Sequence, residues 1–381
     1  MIYLDNCATT KPTKEVVDTM IKAMEEDYAN PSSLHRGGML VEEKIEDVRN
    51  LIGEYLNVSG KEIIFTSGGT ESNNMILKGI MEFNDFEGNV VTSFLEHSST
   101  LSVLDWGEKR GIEVRKVDSD SKGNLSLEEI LSLIDKDTIL LSLTHVNNEL
   151  GSILSIDEIG KRIKGLYPNI HFHVDGVQGF GKIPIPPFTY IDSYSFSGHK
   201  IHGPKGIGGL YLSKNPLIPP LVLGGGQEDG LRSGTENVPG ILGLGAAINR
   251  VFNCGNDDYN HVQGLREFVW NSLFEIFSDL SMNSPKDGSP YIINVSFPHC
   301  RGEVILHMLE DQGIYISTSS ACHSNRKSEK NHVLQGIGLS EDYMEGTIRI
   351  CFSKDNTMEE LEVFIPALKK AVTEIQEIIR R

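Results

Sequence analysis

Between residues 62 and 212 the chain keeps switching its hydrophobic period. Apolar or alternating runs at 62–66, 89–94, 112–117, 138–144, 171–174, 190–196 and 208–212 read as strands. Helical spacing fills most of the intervals: from Thr70, up to Arg110, and over 126–135 and 155–166. Strands separated by whole helices cross over and pair in parallel, so the rhythm predicts a large α/β domain built on a mainly parallel sheet covered by helices. Binding residues should then collect at strand carboxyl ends. Two helices, over 13–27 and 38–57, precede this region. After it come a long amphipathic helix from about 258 to 277, a strand at 291–297, a helix at 302–312, strands at 314–318 and 347–352, and a terminal helix. That second series predicts a smaller α+β domain. The division falls near 253–257, giving a large domain of residues 14–254 and a small one of residues 1–13 and 255–381.

The size, 381 residues, suits two cores, and 39% hydrophobic with 23% charged residues is ordinary for a globular protein. A net charge of -18 spread through the helices argues against direct nucleic-acid binding. No apolar run approaches the ~20 residues of a bilayer span, and the start lacks a basic segment followed by an apolar one, so a cytoplasmic location without membrane contact is the expectation. The five cysteines, Cys7, Cys254, Cys300, Cys322 and Cys351, form no C-x-x-C pair and read as reduced thiols.

Three stretches carry chemistry. Ser195-Phe196-Ser197-Gly198-His199-Lys200 ends a strand and runs into a loop rich in glycine and proline, placing an amine, hydroxyls and an imidazole together. Thr66-Ser67-Gly68-Gly69-Thr70 joins a strand to a helix, where free N–H groups and the helix dipole favour a phosphate; an ordinary glycine turn capped by Thr70 is the other reading. His173-Val174-Asp175-Gly176-Val177-Gln178 puts a carboxylate at the end of an apolar strand, where it needs a cationic partner or serves as a helix cap. A metal held by His171 and His173 would lack a firm third ligand. Together Gly69, Thr70, Asp175, Gln178, Ser197, His199 and Lys200 compose a site for pyridoxal 5'-phosphate, with Lys200 as Schiff-base lysine.

Nearly the whole chain resembles the cysteine desulfurases, class V aminotransferases of pyridoxal-phosphate fold type I. The resemblance rests on Tyr3-Leu4-Asp5-Asn6, Ala8-Thr9-Thr10, Asn30-Pro31-Ser32-Ser33, Thr70-Glu71-Ser72-Asn73-Asn74, His145-Val146-Asn147-Asn148-Glu149, residues 195–206 and Arg232-Ser233-Gly234-Thr235. It implies a seven-stranded sheet in the large domain and a homodimer in which Thr235 reaches the phosphate of the neighbouring subunit. It also implies that Lys200 carries the cofactor, Asp175 meets its ring nitrogen, Gln178 and Asn148 serve its phenolic oxygen, and His97 stacks on the ring. Asn148 and Arg349 would bind substrate, Arg349 clamping its carboxylate unless it forms a structural ion pair.

Cys322, in Ser319-Ser320-Ala321-Cys322-His323, would be the catalytic thiol on a long polar loop, as in the longer-loop subgroup of the family. The implied reaction takes sulfur from L-cysteine, gives L-alanine and leaves a Cys322 persulfide for an acceptor protein such as an iron–sulfur scaffold. Selenocysteine lyase or another class V activity is the alternative. Three residues depart from the usual pattern: Cys7 and Gly69 stand where alanine is common, and His323 where threonine is. His323 would either tune the neighbouring Cys322 thiol or join it in holding a metal or cluster with a partner; no metal is otherwise expected.

Overall fold

The computed structural model describes residues 1–213, 218–318 and 331–379. Its first part contains β1 (Ile2–Tyr3), α1 (Lys14–Glu26), α2 (Arg36–Leu56), β2 (Ile63–Thr66), α3 (Gly69–Phe83), β3 (Asn89–Ser93), α4 (Ser98–Glu108), β4 (Glu113–Val117), α5 (Leu127–Leu133), β5 (Thr138–Thr144), α6 (Ile156–Leu166), β6 (His171–Asp175), β7 (Ser193–Ser197) and β8 (Gly208–Leu212). Then follow α7 (Val238–Ile276), β9 (Ser281–Met282), β10 (Ile292–Ser296), α8 (Gly302–Glu310), β11 (Ile314–Tyr315), β12 (Ser317–Thr318), α9 (His332–Gly336), α10 (Glu341–Met344), β13 (Thr347–Cys351) and α11 (Met358–Ile379).

Seven strands make the central sheet, in the order β2-β8-β7-β6-β5-β3-β4. β7, β6, β5, β3 and β4 run parallel, while β8 is antiparallel to both its neighbours. The mainly parallel α/β architecture expected from the alternating periods is therefore present. Asp175, Ser197, Thr144 and Ser93 all fall at carboxyl ends of the parallel strands, which puts them on one edge of the sheet.

The helices cover the sheet through narrow apolar stripes. α2 buries Val41, Ile45, Val48, Ile52 and Leu56, each burial worth about 2 kcal/mol. Its first turn is closed by His35, whose Nδ1 accepts from Gly38 N at 3.2 Å. α1 begins at Thr13, whose Oγ1 accepts from Val16 N at 3.3 Å. One apolar core unites these helices with one face of the sheet, and a second cluster of Met75, Ile76, Leu77, Leu104 and Leu210 lies under α3 and α4.

β7 departs from expectation. Its alternating composition suggested a half-buried strand over 190–196, but the strand begins at Ser193 and all five of its residues are buried. Partners from neighbouring elements make this tolerable. Ser193 Oγ bonds both His171 Nε2 and His173 Nδ1 at 2.8 Å, and the Tyr194 hydroxyl donates to the Gly176 carbonyl at 3.3 Å.

β12-β13-β10-β9 form an antiparallel sheet with its own core of Val262, Leu265, Val269, Phe297, Phe364 and Leu368. Leu4 and Cys7 join that core, and β1 pairs in parallel with β11. The helix expected from about 258 starts earlier and runs through the polar stretch at 253–257: α7 is one helix of 39 residues that carries Val238–Ile248 side chains in the first core and Val262–Leu273 in the second. Arg250 spans this stretch through its 2.8 Å ion pair with Asp258. Among the described residues no helix is long and apolar enough to cross a membrane.

Candidate active site

The turn from β2 into α3 forms one end of the site. Gly68 has φ 149° and ψ -177°, a conformation closed to side chains, and the helix after it has no side-chain cap. The N–H groups of its first turn therefore remain open for an anion. Thr66 Oγ1 pins the turn by accepting from Gly68 N at 3.3 Å and pairing with Ser72 Oγ at 2.8 Å. Glu71 accepts from Ser67 N and from Arg232 Nε, each at 2.8 Å, which ties the segment 232–235 to the same helix. Thr70 lies exposed at the mouth, Ser197 is buried, and a Cβ on Gly68 would sit 3.4 Å from Ser197 Oγ. Thr235 remains exposed ahead of α7.

Behind that turn lies a polar chain centred on Asn73, which belongs to the motif Thr70-Glu71-Ser72-Asn73-Asn74 but has no role evident from the sequence. Asn73 Nδ2 donates to Asp175 Oδ2 at 2.7 Å and to Ser99 Oγ at 2.9 Å, while its Oδ1 meets His173 Nε2 at 3.0 Å. Asp175 is 4% exposed and its other oxygen accepts from Val177 N at 3.1 Å, so its carboxylate is both buried and aimed. Burial pushes His173 down to about 3, leaving it neutral. The signal in the sequence was position: Asn73 falls one turn into α3, on the side facing the sheet.

His97 caps α4. Its Nδ1 accepts from Ser99 N at 3.1 Å and bonds Ser99 Oγ at 2.8 Å, which assigns the ring proton to Nε2. Burial lowers its pKa against the pull of Asp175, and the charges of Lys200 and His332 lower it further. An open cleft of about 370 Å³ runs past Thr70, His97 and Ser99 to Lys78 and Trp106.

Lys200 ends the short turn after β7. Its Nζ donates to the carbonyls of Cys7 and Ala8, so the irregular leader before α1 forms a wall of the site. Gln178 Nε2 donates to the same Cys7 carbonyl at 2.9 Å, and Gln178 Oε1 accepts from Lys182 Nζ at 2.8 Å. Burial first, and the Lys182 charge second, push Lys200 down to about 8. His199 sits beside it with Nδ1 3.3 Å from Thr9 Oγ1, pushed to about 4 mainly by burial and then by Lys200.

Arg349, 3% exposed in β13, donates to Glu149 Oε1 at 2.8 Å, to the Asn148 carbonyl at 3.0 Å and to Asp5 Oδ1 at 3.3 Å. The ion pair held open as the alternative is thus formed, and the buried Nε has no partner among the described residues. Asn148 is half-buried and donates to Glu149 Oε1 at 3.2 Å. Cys322 and His323 lie outside the described residues. The chain enters and leaves that stretch close to the site: Ser317 is in register with Arg349, and His332 Nε2 bonds the carbonyl of Glu96 at 3.0 Å, next to His97.

Residues 2–364 match the Aminotransferase class-V family. The chain is 37% identical to the cysteine desulfurase IscS of Dictyoglomus turgidum over 99% of this chain and 96% of that one. It is 38% identical to the cysteine desulfurase IscS of Methanosarcina thermophila over 98% and 93%. Among solved structures, a NifS-like protein superposes with TM-score 0.91 at 36% identity, covering 98% of this chain and 99% of its own. A protein described as SspA in complex with cysteine gives 0.81 at 32%, covering 94% and 100%. With a match that spans residues 2–364 and relatives similar along nearly the whole chain, this protein belongs to the class V aminotransferase family, among the cysteine desulfurases and their pyridoxal-phosphate chemistry.

Proposed function

We propose that this protein removes sulfur from L-cysteine, with pyridoxal phosphate held as a Schiff base on Lys200, and leaves L-alanine and a persulfide on Cys322. The observation that carries the reading is the Lys200 amine, held by the Cys7 and Ala8 carbonyls and shifted down to about 8, at the same edge of the sheet as Asp175, His97 and the uncapped start of α3. These donors fit the cofactor: open N–H groups of Gly69 and Thr70 suit a phosphate, and the buried Asp175 carboxylate suits a protonated ring nitrogen. The bound cofactor supplies an electron sink for the substrate's Cα.

The remaining work belongs to the chain. Lys200, neutral in a useful fraction near pH 7.5, takes the Cα proton. His97, with its ring proton on Nε2, would lie against the cofactor ring, and Arg349, whose buried Nε has no partner among the described residues, would turn to hold a substrate carboxylate. The Cys322 thiolate attacks the substrate sulfur; the C–S electron pair stays on carbon, which gains a proton and leaves as alanine. The persulfide then passes to an acceptor such as an iron–sulfur scaffold protein. A homodimer in which Thr235 reaches the partner's phosphate completes the reading, together with a cytoplasmic setting and a small domain of residues 1–13 and 255–381 that carries Cys322. The cysteine-bound neighbour supports the substrate.

Purified Lys200→Ala should lose the visible cofactor band. Cys322→Ser should keep it and form no persulfide on adding cysteine; sulfide release at the wild-type rate by that variant overturns the nucleophile.

A further inference from the structure

Lys182 has no place in the reaction described so far. It lies in the irregular turn after β6, four residues beyond Gln178, and is only 7% exposed. No carboxylate pairs with it among the described residues. Its charged and titratable neighbours are Cys7, Cys351, Arg349, Lys200, His199 and His202, with the Tyr291 ring 5.7 Å away. Burying an amine beside other cations costs stability, so packing alone does not account for it.

Its side-chain hydrogen bond among the described residues is informative. Lys182 Nζ donates to Gln178 Oε1 at 2.8 Å, and an amine of this kind held against a carboxamide selects its oxygen. Gln178 Nε2 must then point away, and it meets the Cys7 carbonyl at 2.9 Å, the same oxygen that receives Lys200 Nζ. One chain of contacts therefore runs from Lys182 through Gln178 and the Cys7 carbonyl to Lys200. We propose that Lys182 is a positioning residue, fixing the Gln178 carboxamide with its Nε2 on the Cys7 carbonyl that also receives Lys200, and setting a like charge against the amine of Lys200. This rests on the reading that Lys200 carries the cofactor. The groups facing Lys200 are Lys182, Cys7, Arg349 and Cys351, with Asp5, His97 and His199 also in its field. Of these, Lys182 is the nearest in effect after burial itself.

The test is a pH titration of the visible cofactor band in holoenzyme. Lys182→Met should raise the midpoint by about one pH unit, because a repelling charge is gone, and Lys182→Arg should restore it. Cofactor dissociation, followed by the same band, should be about tenfold tighter in wild type than in Lys182→Met, with Lys182→Gln in between because it keeps a donor for Gln178. An unchanged midpoint in both Lys182→Met and Lys182→Gln overturns the inference. A wild-type band that survives Lys200→Ala would instead sink the underlying reading of Lys200, so the two failures are distinct.

Discussion

Asn73 does more at this site than its neutral side chain suggests, since one carboxamide satisfies Asp175, Ser99 and His173 together. Asn73→Leu should leave Asp175 Oδ2 buried without its donor, costing about 2 kcal/mol in a denaturant titration and weakening cofactor retention. Gly69 offers a finer test. Glycine stands here where alanine is common in the family the chain resembles, and a Cβ would meet Val177 Cγ2 at 2.3 Å. The reason lies across the site: Val177 is locked beside Asp175 by its own N–H. Gly69→Ala alone should loosen cofactor binding, and adding Val177→Ala should recover it, a coupling of about 1 kcal/mol in a double-mutant cycle. A clash between residues more than a hundred positions apart has no local signature. The open N–H groups of α3 and the lysine after β7 were legible because each depends only on a strand meeting a turn.

At the scale of elements, the turn between β3 and α4 holds the most unusual group. Glu96 is fully buried; its Oε1 accepts from Ser93 Oγ at 2.8 Å and Thr144 N at 3.0 Å, while Oε2 has no partner among the described residues. Burial raises its pKa from 4.5 to about 8, with Asp175 adding to the shift. A carboxyl raised on folding is favourable in its protonated form, so its contribution is intact below pH 4.5 and is lost as the pH climbs through 8. Glu96→Gln mimics the protonated acid. It should flatten the stability profile over that window and stabilise the protein by about 1–3 kcal/mol at pH 8, read from chemical denaturation at several pH values. β7 teaches the converse: its alternating residues looked half-exposed, yet strands and helices on both sides bury it, and the serines find partners in His171 and His173.

For the whole molecule, α7 joins the two cores, because one helix contributes side chains to both. Gly255 lies within it, and a Cβ there would meet only Val251 Cγ1 at an ordinary 3.8 Å. Gly255→Ala should therefore stabilise by about 0.5–1 kcal/mol and raise a single unfolding transition. Cys254→Pro, which removes a helical N–H and strikes the preceding turn, should cost about 3 kcal/mol and separate the unfolding of the two cores in calorimetry.

Local patterning determined the order of strands and helices, the parallel sheet that order requires, and the candidacy of Lys200, Asp175 and the Gly68-Gly69 turn, because each follows from period, turn chemistry or a strand's end. The resemblance added Cys322 as the candidate nucleophile. Only the tertiary structure brought the leader's Cys7 carbonyl onto Lys200, Asn73 between Asp175 and Ser99, and Lys182 behind Gln178. Those contacts join residues from separate elements, and their geometry exists only once the sheet, α7 and the second core have closed around them.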